Sequence, residues 1–252
     1  VRELVMRLSE NRKSPLSNIA LINELADSNQ IDPGRMRMQL ALLLGSIKET
    51  TKTLAQIGLQ DSSDRWSRAA VLSSISGREE IFLFELIEQS ASAKQAGSEL
   101  FYDFGRLLGA SKTMPEAIPI LSKALKDWPN AEFAQQVPLI TGLVDGLRAR
   151  GFAKGEKSIL EVLLDDDSNV AIKDLRSRFE TLADDAAKIV QDSNAAPELR
   201  RRAIEFLAHA KAKKALPFLA RFVESQQPEP VQMAAIKAVT SLPSEEVAST
   251  LL

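Results

Sequence analysis

The sequence contains no cysteine, one histidine (His209) and one tyrosine (Tyr102). Without cysteine there is no disulfide, no thiol nucleophile, no iron–sulfur ligation and no zinc site of a Cys-containing type. A lone histidine offers no His pair to hold a metal and no second imidazole to relay a proton. Chemistry at neutral pH would fall to carboxylates, lysines or Tyr102. Aromatic residues make up 5% of the chain, and no β-branched run alternates with polar residues for a strand's length, so strand signals are nearly absent. No apolar run reaches the roughly 18 residues of a membrane span. Val1-Arg2-Glu3 opens into an amphipathic pattern instead of the basic and apolar regions of a signal peptide. No sign of charge dominates: 32 Lys and Arg face 34 Asp and Glu, a net charge of −2. A dedicated nucleic-acid binder usually carries a clear basic excess. The missing initiator Met and the apolar end at Thr250-Leu251-Leu252 suggest a piece of a longer protein, with any targeting signal outside it.

Helical periodicity is abundant. Hydrophobic residues make up 44% of the 252, ample for a buried core and too many for intrinsic disorder. Met36, Leu40, Leu43, Leu44 and Ile47 fall on one helical face, as do Val231, Ala234, Ala235, Ala238, Val239 and Leu242. Ile172, Leu175, Phe179, Leu182, Ala183, Ala186 and Val190 trace a third stripe over five turns. Breakers separate the stripes at Asp32-Pro33-Gly34, Gln60 to Asp64, Trp128-Pro129-Asn130, Gln227 to Pro230 and Pro243-Ser244. Several place Asp or Ser where a helix N-cap belongs, with Pro in the first turn. The pattern predicts an all-α chain of about thirteen to fifteen helices of roughly 10 to 20 residues.

A repeat search distinguishes a bundle from a solenoid. Val1 to Leu8, Met36 to Leu43 and Ser67 to Ser74 share one pattern: a small or apolar residue, Arg, two variable positions, then aliphatics. Arg201-Arg202-Ala203-Ile204 and Met233-Ala234-Ala235-Ile236 match more loosely. The anchors at 2, 37, 68, 201 and 233 are separated by 35, 31, 133 and 32 residues, and 133 is about four periods of 33. One helix pair per irregular repeat is the mark of an α-solenoid. Small residues at Ala69-Ala70, Ala203 and Ala234-Ala235 permit close helix approach. The expectation is one solenoid domain over 1–252, a right-handed superhelix of about six to eight antiparallel helix pairs. Its repeats are regular over 1–76 and 197–252 and degenerate over 80–195.

Asp before a helix with Arg inside it, Asp32 with Arg37 and Asp64 with Arg68, resembles the HEAT-repeat consensus. In that family such residues commonly bond one repeat to the next. The succession Val1-Arg2-Glu3…Arg7-Leu8-Ser9-Glu10, Arg37 to Gly45, then Asp64 to Ser74 resembles something narrower. It is similar to the HEAT region of very large planctomycete proteins labelled membrane-bound dehydrogenases or haem-binding proteins. There a β-propeller precedes the HEAT region, and a cytochrome c-type module with a CxxCH haem site follows it. The resemblance implies a non-catalytic connecting solenoid, exported to the periplasm or cell surface. Its partners would be the other domains of its own polypeptide, or another protein. With no Cys in the chain, no haem-attachment residue carries over, so haem c would reside elsewhere in the parent protein. Arg37, Arg68, Arg201, Asp32, Asp64 and Trp66 are the candidate interaction or inter-repeat ladder residues. No catalytic, cofactor-binding or metal residue is assigned.

Other motifs reduce to simpler readings. Asp165, Asp167 and Asn169 match three calcium-loop positions, but Val170 and Arg176 stand where Gly and Glu belong. An acidic helix start, favoured by the dipole, explains the run. Gly146 to Gly151 has half the spacing of a phosphate loop, without the Lys or the hydroxyl; it reads as a helix ending at Gly151. Gly105/Gly109 and Gly142/Gly146 have GxxxG spacing and predict close helix packing. The basic residues Arg200, Arg201, Arg202, Lys211, Lys213, Lys214 and Arg221, interspersed with Glu198, Glu205 and Glu224, read as a solvated face with i,i+4 pairs. His209 reads as a C-terminal helix residue, and Trp66 and Trp128 as rings wedged between repeats near helix starts. Two competing readings remain. A ligand-binding or tetrapyrrole-modifying HEAT-like enzyme would use Tyr102, Asp103, Asp145 and Asp165–Asp167. A nucleic-acid-binding HEAT protein is disfavoured by the charge balance.

Overall fold

The computed structural model describes residues 33–90, 97–128, 133–151, 170–210, 218–223 and 226–240. These residues form ten α-helices and one short 3-10 turn, with no strand among them. The helices are α1 (Pro33–Leu44), α2 (Thr51–Gln60, preceded by the 3-10 turn Lys48–Thr50), α3 (Arg65–Ser73), α4 (Glu79–Ser90) and α5 (Ser98–Ser111). They continue with α6 (Met114–Asp127), α7 (Phe133–Ala149), α8 (Val170–Gln191), α9 (Pro197–Ala210) and α10 (Glu229–Thr240).

The stripes become buried faces. All seven stripe positions of α8, from Ile172 to Val190, are in the core, as are Val231, Ala234, Ala235, Ala238 and Val239 of α10. Leu40 and Leu44 are buried on α1. Helix ends are fixed by local chemistry. Asp64 accepts hydrogen bonds from the Ser67 N–H at 2.9 Å and the Ser67 hydroxyl at 2.7 Å, capping α3. These bonds hold its carboxyl below the usual carboxylate range. At α6 the Glu116 carboxylate accepts from the Thr113 N–H at 2.8 Å and its hydroxyl at 2.7 Å, which lowers the Glu116 pKa. Gly151, at φ +79°, ends the turn after α7 where an L side chain would be strained.

The chain divides into two compact units, 1–100 and 101–252; the seam falls inside α5, between Leu100 and Phe101. Stacked helix pairs touch only their neighbours, so a compact unit in such a chain is a run of consecutive layers. In the first unit α1 packs on α3 and α2 on α4, each helix meeting its second neighbour along the chain. Gly45 lies against Ser74, and Arg37 against Asp61, so the ends of α1 and α3 advance together and the two helices run parallel. In the second unit α6 packs on α8, α7 on α9, α8 on α9 and α9 on α10. This stacking of helices on their second neighbours is the packing of an α-solenoid.

The tightest contact joins α5 and α7. A methyl group on Gly105 would overlap the Leu139 carbonyl and come within 2.9 Å of the Leu143 nitrogen. One turn on, a methyl group on Gly109 would overlap the Leu143 carbonyl. Gly142 and Gly146 return the contact onto Tyr102 and Arg106. Both sequences advance together, so α5 and α7 are parallel and α6 carries the chain back between them. The two GxxxG stretches are one reciprocal backbone-to-backbone interface.

Beside it, Gln136 is fully buried on α7. Its amide nitrogen donates to the Trp128 carbonyl at 3.0 Å, and its oxygen accepts from Arg178 Nη2 of α8 at 2.7 Å and from Nε at 3.1 Å. One side chain thereby joins three helices. Trp128 is buried, as expected of a core ring, and packs on Phe101 with centroids 4.9 Å apart. It closes α6 instead of opening a helix. Trp66 overturns its core reading. It is 67% exposed, with Arg65 over its ring at 5.7 Å, because the buried positions of α3 are Ser67, Ala70 and Val71, which leaves position 66 facing solvent.

Candidate interaction site

The close approach of α5 and α7 brings polar side chains into one line. Tyr102 of α5 donates its phenolic hydrogen to Asp145 Oδ2 of α7 at 2.9 Å. Asp145 Oδ1 lies 3.6 Å from Arg148 Nη1, one turn further along α7. Arg148 Nη2 lies 3.3 Å from Nδ1 of His209, in the last turn of α9. Lys237 of α10 acts electrostatically on His209, and Arg106 of α5 acts on Tyr102. Four of these six side chains, Tyr102, Asp145, Arg148 and His209, thus form a line of contacts across three helices of the second unit, and Arg106 and Lys237 act electrostatically on its two ends.

The environment sets their protonation. Burial, reinforced by the bond to Asp145, pushes the Tyr102 phenol up to about 12. It therefore stays protonated and acts as a donor. Burial is also the largest influence on His209, and the Arg148 charge adds to it, bringing its pKa down to about 4 against the opposing pull of Asp145. The helix C-terminus favours an imidazolium, but desolvation and Arg148 outweigh it. Neutral His209 accepts from Arg148 at Nδ1, which assigns its proton to Nε2. The Asp145 carboxylate lies between a phenol and a guanidinium. The line carries donors and charges suited to recognition, with no nucleophile–base pair among these six residues.

The residues singled out in the sequence have different surroundings. Arg37 makes a bidentate ion pair with Asp61, with bonds of 2.6 and 2.7 Å across 24 residues, joining α1 to the turn before α3. Arg68 donates to the Ser62 carbonyl at 2.8 Å, in the turn that precedes its own helix. Arg201 binds Glu198 at 2.6 Å and Glu205 at 2.5 Å, both on α9, so these ion pairs run along one helix instead of between repeats. They hold Glu198 below its usual range and raise Arg201. Asp64 is a helix cap and Trp66 a solvent-facing ring. Asp32 lies outside the described residues, as do Asp165–Asp167.

Two inter-repeat arginines escape the sequence pattern. Arg78 donates to the carbonyls of Ile47 at 2.6 Å, Lys48 at 3.1 Å and Gly45 at 3.3 Å, and also to Ser74. Its partners beyond α3 lie 30 to 33 residues back. Arg150 donates to the Lys112 carbonyl at 2.6 Å, 38 residues back. Each arginine adjoins a positive-φ glycine, Gly77 or Gly151, and each donates to main-chain carbonyls at or just beyond helix ends. An Arg–Gly or Gly–Arg step at a helix end is the signal that would have found them.

Among the described residues no helix is long and apolar enough to cross a membrane, and no group of three or more potential ligands is placed to hold a metal ion. The family model for HEAT repeats matches residues 183–252, which takes in α9, α10 and the end of α8. No curated protein and no solved structure matches the chain. The C-terminal part of the chain is thus a HEAT-repeat region, and the all-α stacked architecture extends through the described residues before it.

Proposed function

We propose that this chain is a non-catalytic interaction scaffold, a HEAT-type solenoid that recognises another protein surface through the polar line from Arg106 to Lys237. HEAT repeats serve as scaffolds, and solenoids present extended surfaces built from side chains of successive layers. The observation that carries the reading is the Tyr102–Asp145–Arg148–His209 chain of contacts. It runs across helices of successive layers and contains no activated nucleophile. The test is affinity capture from source cells with the whole chain, comparing wild type with a D145A/R148A variant of unchanged melting temperature. Specific partners recovered by wild type and lost from the variant support the reading. Partners recovered equally by both sink the assignment to this line.

A narrower form of the proposal places the chain between a β-propeller and a cytochrome c-type module in an exported redox protein. Its support is the residue succession over 1–76, which resembles that setting. Sequencing the gene on both sides of Val1 and Leu252 tests it. A propeller upstream and a CxxCH module downstream are expected, and stop codons close to both ends would overturn it. In this form the scaffold fixes the distance between two domains, and haem chemistry belongs to the neighbouring module.

A further inference from the structure

Resting on the scaffold reading, we propose that the Arg106–Lys237 line is the docking site for an acidic segment of a partner protein. Charge carries the argument. The chain as a whole is slightly acidic, with a net charge of −2, yet this line sets three cations against one bonded carboxylate. Arg106 and Lys237 are both exposed, and among the described residues their side chains make no hydrogen bond or ion pair. Arg148 is 53% exposed and, among the described residues, shares its charge with a single carboxylate, Asp145, at 3.6 Å. Asp145 is itself bonded to the Tyr102 hydroxyl, so its capacity to neutralise the line is divided. Asp103, next to Tyr102, is the other acid that acts on this end.

The cations are spaced along the stack, on α5, α7 and α10. A lone anion would need them converged on one point. An extended chain bearing several carboxylates fits cations set out in sequence, one layer after another. Neutral His209, which accepts from Arg148 at Nδ1, keeps its proton on Nε2 as a donor for a peptide carbonyl or carboxylate. Duplex nucleic acid is also polyanionic, but it asks for a broader basic surface than three cations flanked by Asp103 and Asp145.

The experiment uses the full chain and a fluorescent ten-residue polyglutamate peptide as the probe, read by anisotropy at low salt. Binding to the wild type should weaken as salt rises. The R106E/K237E variant should lose about tenfold or more in affinity with an unchanged melting temperature. Reversal of Lys173, an exposed cation on α8, should leave binding unchanged. The proposal is overturned if the wild type does not bind the peptide, if K173E weakens binding as much as the double variant, or if a DNA duplex binds more tightly through the same residues. Failure here, with partner capture still dependent on Asp145 and Arg148, would remove the acidic-segment assignment alone. Capture that ignores those two residues would remove the scaffold reading of this face.

Discussion

A methyl group added to Gly142 would overlap the carbonyl oxygen of Tyr102 and sit 2.9 Å from the nitrogen of Arg106. The backbones of α5 and α7 therefore touch through the space that side chains normally fill, and the adjoining polar line depends on that contact. With the helices pushed apart by even a methyl group, the Tyr102 hydroxyl would lose its reach to Asp145.

Gly142→Ala and Gly105→Ala should each destabilise the chain by about 2–4 kcal/mol, since neither helix can yield without disturbing neighbouring layers. Gly77 has a φ of +75°, and a methyl group there would meet nothing within 4 Å. Gly77→Ala should cost only about 1 kcal/mol, from backbone strain alone. Urea denaturation of the three variants checks the ordering. Equal losses for Gly77 and Gly142 would contradict the close-contact account.

Arg78 and Arg201 separate two kinds of arginine. Arg78→Ala strips donors from several backbone carbonyls at helix ends and should cost about 2–3 kcal/mol. Arg78→Lys should recover only part of that, because a point charge cannot reproduce the guanidinium fork. Arg201→Ala breaks half-exposed pairs within one helix and should cost about 1 kcal/mol or less. Chemical denaturation midpoints decide it; a larger loss at Arg201 would return the inter-repeat role to that residue.

The two tryptophans make a sharp pair. Trp128→Ala empties a core position against Phe101 and should cost about 3–5 kcal/mol. Trp66→Ala, at an exposed site, should fall within about 0.5 kcal/mol of wild type. In fluorescence, quenching by acrylamide should be dominated by Trp66.

His209 predicts a direction with pH. Its folded pKa of about 4 lies below the ordinary 6.5, so the unfolded chain takes up a proton that the folded chain refuses. Its influence is absent well above pH 6.5. Stability then falls as pH drops from 6.5 towards 4, by at most about 1.4 kcal/mol per pH unit. Arg148, Asp145 and Lys237 are the charged groups that act on it. In His209→Gln the loss between pH 6.5 and 4 should be shallower. Parallel stability curves for the two proteins would refute the assignment.

The fold was legible because burial follows helical period. The seven-residue stripe of α8 can be read from spacing alone, and every member is buried. The glycine spacing in α5 and α7 likewise announced close packing, although the parallel pairing of the two helices depends on register. Other features depend on partners distant in sequence. Tyr102 and Asp145 are 43 residues apart, and Arg148 and His209 are 61 apart; only the stacking of the layers selects those pairs. Trp66 was misjudged for a related reason. The ring's size argues for burial, whereas its rotational position on α3 places it outside. Arg201 looked like a repeat anchor, but Glu198 and Glu205 on its own helix reach it first.

The arginines at the helix ends explain why the repeat is so faint in sequence. Arg78 and Arg150 address main-chain oxygens, which every residue type supplies, so the positions they grip carry no chemical signature. Mutational drift at Gly45, Ile47, Lys48 or Lys112 leaves such a joint intact as long as the helix end keeps its shape. Layers held in this way can diversify one by one and remain stacked. Their architecture can therefore outlast any recognisable similarity between the repeats.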